Sequence, residues 1–559
     1  MLRALRTVHE RAASLGLELN LSKCELIPTA GLQSRCDLAS FPEEVKRESS
    51  RSFVLLGAPI GAADRVSAFM QQKRVQRVAD MLNELPLLED AQVAHKLLSC
   101  CFGASRLMHN MRTNRPDGLT DALQASDAAL RSTFAACTGI ALDGEQWKQV
   151  CLPFSKGGLG LRGGESHAAA AYLASRTSTK KLCTNLDAQF VWEGIADDGA
   201  LEAARADYNS KVMPSAQLTV DSLAVDAPPL SQKHLATKID EATQASLIED
   251  SCESAKARLR ATAAPHASAW LQAQPCEAMG QRMSHAEFVA ALRVWLGSRT
   301  ALNDGWCPKC DQVMDSKGAH ALTCMAGGDA VRCHNSLRDS VFNFARSAGC
   351  RVLKEEIGLL PDDPRRRPGD LFFPEWPWGE PLALDFAVTS PLQQGEVRGA
   401  ALQALSAASS YESKKLADRS TAERCQRLGL RLEPMVVESF GGWGSRAKGV
   451  LKFLAQAKAA QSGETVSVVT RSLYSGLSIK LMRANARSLL ARVAETGAHE
   501  RALEAAAVHL VATASSVSQR AAATPTTDNS TTTPSCVVPL VVAPAGGPAP
   551  AARDIRLPS

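Results

Sequence analysis

The chain has 559 residues, 45% of them hydrophobic, and a formal net charge of +5. That length exceeds what one hydrophobic core ordinarily serves and predicts about three or four domains; the apolar content excludes a wholly disordered chain, and the small charge excess neither requires nor forbids a nucleic-acid partner. Sixteen cysteines with a single close Cys-x-x-Cys pair exclude a disulfide scaffold and predict reduced thiols plus one metal site, in a cytosolic or nuclear setting.

In chain order, "MLRALRTVHERAASLG" has periodic apolar positions without an apolar leader core, so an amphipathic helix is expected. Two strands, "LELNLSKCELI" and "SFVLLGAPIG", the latter closed by Pro59 and Gly61, complete a small α/β piece over 1–62. Residues 63–180 turn helical. "DRVSAFMQQKRVQRVADMLNEL", "DAQVAHKLLSCCFGASRLMHNMR" and "DGLTDALQASDAALRSTFAACTGI" each open on an aspartate suited to N-capping, and the first two carry arginine and lysine on faces expected to be exposed. The stretch "LPFSKGGLGLRGG" (152–164) lacks the Gly-Lys-Ser/Thr ending of a phosphate loop and is expected to be a packing turn. Residues 181–300 read as a helical connector with a linker at "VDAPPLSQKH". No apolar run reaches the roughly 18 residues of a membrane helix, so no membrane partner is expected. Helices are expected over 451–514, and the Thr/Pro/Ala-rich tail 515–559 is expected to be disordered.

The segment 301–334 carries the strongest metal signal. In "WCPKCDQVMDSKGAHALTC", Cys307, Cys310, His320 and Cys324 have two, nine and three residues between successive members. A Cys-x-x-Cys turn offers two thiolates, and the His-x-x-x-Cys half puts its ligands on one helical face, so a tetrahedral structural Zn2+ is expected. Four protein ligands leave no open position for a catalytic water. Cys333 and His334 stand nearby as spare ligands.

Within 335–450 the pattern runs helix (335–349), strand "CRVLKEEIGLL", strand around "GDLFF", strand "PLALDFAVT", a long helix near 398–428, and strand "RLEPMVVES". Asp385 interrupts the apolar run Leu382, Ala383, Leu384, Phe386, Ala387, Val388. A charge on such a strand needs a partner, a shifted pKa or a metal. If the second and third strands form a hairpin centred between Pro377 and Trp378, residues whose numbers sum to 755 oppose each other, as Asp370 and Asp385 do. Two adjacent carboxylates suit a hard divalent ion, Mg2+ or Mn2+. Glu355, with Glu356 beside it, is a candidate third acid. "YESKK" places Lys414 and Lys415 one turn from Tyr411, where either lysine could orient water or stabilise charge developing on a phosphate.

The order of elements, with "RPGD", "LDFAV" and "YESKK" behind a Cys-Cys-His-Cys motif, resembles the restriction-like endonuclease of site-specific non-LTR retrotransposons. That resemblance implies a nuclease in which Asp370 is the first acid, Asp385 the second, and Lys414 or Lys415 a lysine displaced onto the helix; Gly369 interrupts the family's Pro-Asp pair, and Ala387 stands where standard members carry lysine. "LGLELNLSKCELI", with Lys23, and "SFVLLGAPIG" resemble the end of a reverse-transcriptase palm and its primer grip, and the helices that follow resemble the thumb. No Tyr/Phe-x-Asp-Asp stretch precedes Lys23, so polymerisation is expected only of an intact element. The expected fold class is thus mixed α and α/β, multidomain: a truncated palm hairpin, a helical thumb and connector, a zinc knuckle and a restriction-endonuclease-like α/β core. The family resemblance implies target DNA and element RNA as partners, with no small-molecule substrate, and nuclear action after cytoplasmic synthesis. The alternative is an inert relic that binds nucleic acid through the zinc knuckle and basic helices.

Overall fold

The computed structural model describes residues 2–27, 40–47, 52–187, 190–192, 198–376 and 379–493. All lie in one compact unit, Met1–Ala512. Among the described residues the architecture is mixed and helix-rich, with a few small sheets and no closed barrel. Among the described residues no helix is long and apolar enough to cross a membrane. The tail 515–559 and the expected hairpin turn at Pro377 and Trp378 lie outside the described residues.

The chain opens with helix α1 (Leu2–Ser14). The strand expected over "LELNLSKCELI" reduces to a 3-10 turn, Leu21–Lys23, and the two-residue strand Glu25–Leu26, which pairs only with Lys46–Arg47. Leu26 is the one buried side chain in this stretch, too little apolar surface to hold a longer strand. "SFVLLGAPIG" folds into a hairpin, β1 (Phe53–Leu55) against β2 (Ala58–Ile60). Its turn has positive φ at both Leu56 (49°) and Gly57 (83°), as a tight two-residue hairpin loop of the I′ kind requires.

Helices α2 (Ala63–Phe69), α3 (Gln76–Asn83), α4 (Ala91–Leu97) and α5 (Thr120–Thr138) follow. Of the three aspartates expected to cap, only Asp90 does so, accepting the Val93 amide at 3.0 Å. Asp64 sits inside the first turn of α2, and Asp117 opens a 3-10 turn ahead of α5. Helix α6 (Gly144–Cys151) leads into the glycine stretch, which is a packing turn. A Cβ on Gly158 would stand 1.9 Å from the Leu152 carbonyl oxygen, and the Gly157 carbonyl accepts from both Gln149 Nε2 (3.0 Å) and Trp295 Nε1 (2.9 Å). Helices α7 (Gly164–Leu186), α8 (Gly199–Ser210), α9 (Gln232–Glu249), α10 (Glu253–Thr262) and α11 (His285–Leu296) complete the first half.

The second half begins with the small hairpin β3 (Gly305–Trp306) and β4 (Val313–Met314), then α12 (Asp329–Ser347). A four-stranded sheet follows: β5 (Leu353–Lys354), β6 (Leu371–Phe373), β7 (Leu382–Thr389) and β8 (Arg431–Glu438), in the order β8-β7-β6-β5. Only β8 and β7 run parallel. The helix expected near 398–428 is three helices, α13 (Val397–Leu402), α14 (Ser406–Ala417) and α15 (Thr421–Arg427). Positive φ at Leu405 (64°), and at Arg419 (46°) and Ser420 (51°), breaks it twice. The first strand shortens to two residues because the chain turns at Glu355, whose φ is 51°. Helices α16 (Ser445–Ser462) and α17 (Val466–Val493) close the described chain.

The largest hydrophobic core is continuous from Val78 and Phe134 through Trp270 and Trp295 to Leu384, Met435 and Val493. The segments that the sequence divides at 180, 300 and 334 therefore share one interior. A second core, built around Tyr172, Trp192 and Tyr208, lies among α7, α8 and the loop before α9.

Candidate active site and metal centre

The expected register holds along β6, where Leu371 pairs with Leu384, Phe372 with Ala383 and Phe373 with Leu382. At the end of that ladder Asp370 departs from simple opposition. Its amide donates to the Leu384 carbonyl (2.7 Å), and its Oδ2 accepts the Phe386 amide (2.7 Å), so the carboxylate takes the next acceptor position along β7 beside Asp385. Gly369 makes this approach possible: a Cβ there would lie 2.7 Å from the Leu384 carbonyl oxygen and 3.0 Å from its amide nitrogen. A side chain at position 369 would therefore clash with the β7 backbone.

Asp385 has two of the three remedies that an acid in an apolar strand needs. Lys415 Nζ lies 3.0 Å from its Oδ1 and 2.9 Å from its Oδ2. Burial pushes the Asp385 carboxyl above its ordinary value, helped by the charge on Asp370, and Lys415 offsets only part of this. For Lys415, burial works toward the neutral amine, but the Asp385 carboxylate outweighs it and raises the pKa. Lys414 points elsewhere: its Nζ binds Glu396 at 2.7 Å, and its side chain is 63% exposed. The structure therefore brings one of the two candidate lysines to the acids.

Asp370 has its own partner, His334, whose Nε2 lies 3.2 Å from Oδ2. Burial would raise the Asp370 pKa, but the His334 hydrogen bond and the Phe386 amide hold it below the usual range; the same contact lifts His334 above its ordinary value. The sequence suggested His334 as a spare zinc ligand, and the structure places it in the other site. It precedes Leu337 and Val341 by three and seven residues on α12, so extending that apolar stripe one turn toward the N-terminus would have pointed it at the sheet. Cys333 is simply core, its thiol pushed up to about 12 by burial.

Glu355 adjoins the site through its backbone, its amide donating to the Asp370 carbonyl (2.9 Å). Its carboxylate is held by the guanidiniums of Arg338 and Arg367, a separate ion-pair cluster from the Lys415–Asp385 and His334–Asp370 contacts. Ala387, where a strand-borne lysine would stand, packs with Ala408 and Val436 beneath Tyr411. Helix α14 rests directly on the sheet there, and its last turn delivers Lys415.

The four expected zinc ligands converge, with all their donor atoms within 4.8 Å of one another. Cys324 Sγ is 3.7 Å from Cys310 Sγ, and Cys310 Sγ is 3.4 Å from His320 Nε2. A tetrahedron with bonds of about 2.3 Å has edges of roughly 3.8 Å, so the cluster fits a zinc-like ion. Its scaffold is local. The Cys310 amide donates to the Cys307 carbonyl, Gly318 supplies a turn at φ 79°, and Asp315 accepts the amides of Lys317, Ala319 and His320. Burial works against ionisation of Cys307, yet the Lys309 amide, His320 and the Cys310 amide together draw its thiol down to about 6. A partner the sequence did not reveal is Arg492 near the end of α17. Its buried guanidinium interacts with Cys324, binds Asp329 at 2.8 Å and donates to the Ala326 carbonyl.

Comparison with protein-family models and with curated proteins finds no match for this chain.

Proposed function

We propose that this protein is the C-terminal portion of a non-LTR retrotransposon polyprotein and that its 335–450 core is a metal-dependent DNA endonuclease. The observation that carries this reading is the joint placement of Asp370 and Asp385 on neighbouring strands with a helix-borne lysine on Asp385. Also in support are the helix-strand-strand-strand-helix-strand order and the zinc-type cluster immediately before it. In this reading the 53–60 hairpin and the helices to 180 are the remnant of the palm, primer grip and thumb, and 181–300 is the connector.

Asp370 and Asp385 would hold Mg2+ or Mn2+, whose charge would offset their mutual repulsion and polarise a scissile phosphate. His334 and the Phe386 amide fix the orientation of Asp370. Lys415 stays protonated beside Asp385 and would present a cation to the charge that builds on the phosphate as water attacks phosphorus and the P–O3′ bond breaks, leaving a 5′-phosphate on the other fragment. The product would be a nicked strand with a 3′-hydroxyl able to prime reverse transcription of the element's RNA.

The test is nicking of supercoiled plasmid by the full chain with and without Mg2+, alongside Asp370→Ala and Asp385→Ala. The full chain is needed because the core around the nuclease sheet continues into residues before 300 and after 450. Magnesium-dependent nicking lost in both variants supports the reading. DNA binding without cleavage by folded, zinc-loaded protein overturns it in favour of an inert nucleic-acid-binding relic.

A further inference from the structure

Glu438 is a buried acid that the mechanism above does not use. It ends β8 opposite Thr389 and is 0% exposed. Its Oε1 accepts the Ala408 amide (3.2 Å), and the Ala407 amide also donates to the carboxylate. Its Oε2 has no partner. These amides belong to the first turn of α14, whose own N-cap, Leu405, has no side-chain acceptor to offer. A carboxylate from the strand thus caps a helix that the sequence leaves uncapped.

The same helix carries Lys415 at its other end. Asp385, Ala387 and Thr389 share one face of β7, and α14 runs back along them, with Ala408 over Ala387 and Lys415 at Asp385. Seven residues of helix from Ala408 to Lys415 rise about 10 Å. Four residues of strand from Thr389 to Asp385 span about 13 Å. Helix and strand both run from the Glu438–Thr389 end of the sheet to Asp385, their rises differing by no more than a lysine side chain spans, so fixing the first turn of α14 on the sheet restricts where the lysine lands. Slipping the helix by one residue would rotate Lys415 by about 100° and shift it about 1.5 Å. Glu412 restrains the middle of the helix, accepting the Ser445 hydroxyl (3.3 Å) and the Arg446 amide (3.3 Å) at the start of α16.

We propose that Glu438 is a positioning residue for cleavage: by binding the first-turn amides of α14 it sets the register that delivers Lys415 to Asp385. The inference rests on the endonuclease reading and adds a residue that touches neither acid. Burial pushes the Glu438 carboxyl up to about 7, the Ala408 and Ala407 amides offset part of this, and the like charge of Glu396 pushes the same way as burial. A buried acid carrying an unpartnered oxygen is a poor choice for stability alone.

The experiment compares full-chain wild type, Glu438→Met, Glu438→Gln, Lys415→Ala and the Glu438→Met/Lys415→Ala double variant, checked for zinc content. Methionine fills the space without an acceptor, and glutamine keeps the Oε1 acceptor. Glu438→Met is expected to lower the nicking rate about 10- to 100-fold at unchanged DNA affinity, and Glu438→Gln to keep it near wild type. In the Lys415→Ala background, Glu438→Met should change the rate less than about twofold, because both substitutions remove one effect. An equal loss in both backgrounds overturns the proposal. Hydrogen exchange across 406–417 reads the same link without catalysis. Faster exchange in Glu438→Met but not in Glu438→Gln shows that Glu438 fixes the start of α14, a result that stays distinguishable from failure of the endonuclease reading if the wild type does not nick, whereas unchanged protection overturns the proposal.

Discussion

Replacing each of the two adjacent lysines separately tests the site most sharply, because the sequence treats them alike and the structure does not. Lys415 contacts both Asp385 oxygens, at 3.0 and 2.9 Å, in a half-buried crevice; Lys414 is 63% exposed on Glu396. A unit ion pair at about 4 Å is worth roughly 4 kcal/mol at an effective dielectric near 20. Desolvation offsets much of that, leaving about 1.5–3 kcal/mol for a charge-assisted contact. An exposed pair of the Lys414 kind contributes about 0–1 kcal/mol. Lys415→Ala also removes the cation in contact with Asp385, so its already raised pKa climbs further. The expected stability loss is therefore about 2 kcal/mol for Lys415→Ala without added Mg2+ and within about 1 kcal/mol of zero for Lys414→Ala. For nicking, removal of a preorganised cation predicts a loss of about 10²- to 10³-fold in Lys415→Ala and a change below about threefold in Lys414→Ala. Single-turnover plasmid nicking in Mg2+, with chemical denaturation on the same preparations, measures both. A Lys414→Ala defect equal to or greater than that of Lys415→Ala would refute the assignment.

Three further outcomes follow from the same geometry. Stripping zinc, or Cys310→Ser, should lower the melting temperature by roughly 10 °C or more, since Cys307 and Cys324 are buried and would lose the ion that draws the four ligands together; an unchanged melt with metal shown absent by elemental analysis counters this. Gly369→Ala would set a Cβ 2.7 Å from the Leu384 carbonyl and should destabilise by about 1–3 kcal/mol while displacing Asp370; denaturation and nicking should fall together, and a neutral result in both rejects the steric account. The His334–Asp370 contact should have a pH window. His334, raised, contributes fully below its ordinary 6.5 and loses its contribution as pH rises through the folded value; Asp370, lowered, contributes above 3.8 and loses its contribution as pH falls through its folded value. The stability deficit of His334→Ala without added Mg2+ should therefore be largest between about 4 and 6.5, and a deficit that stays flat from pH 3 to 9 argues against the contact.

Local chemistry was the legible part of this sequence. The zinc ligands sit close together, so their spacing states their geometry, and the hairpin register follows from centring the turn between Pro377 and Trp378, which sets every pair to a sum of 755. Boundaries set by packing were not legible. Leu405 adopts positive φ with no glycine to announce it, so an apparently continuous helix over 398–428 breaks there and again at Arg419 and Ser420. That break decides between the lysines, because it starts α14 at Ser406 and so rotates Lys415, and not Lys414, toward β7. His334 was misplaced for a related reason: its nearness in sequence to the zinc ligands outweighed its place on the α12 stripe.

The domain divisions drawn from sequence also assume that each segment closes its own core, and here the zinc-type cluster and the Asp370–Asp385 pair border the same one. Helix α12 emerges directly after the last zinc ligand and carries His334 to Asp370 within two turns. Helix α17 returns to seal the cluster: Ser488 donates to the Ala321 carbonyl, Leu489 lies 2.8 Å from where a Cβ on Gly318 would stand, and Arg492 reaches Asp329. The start of α12 is thus clamped between the zinc cluster and the C-terminal helix. Loss of zinc should loosen that clamp and the His334–Asp370 contact with it. Removing Arg492, which touches neither acid, should give a weaker form of the same defect, in which zinc retention and nicking decline together while the plasmid is still bound.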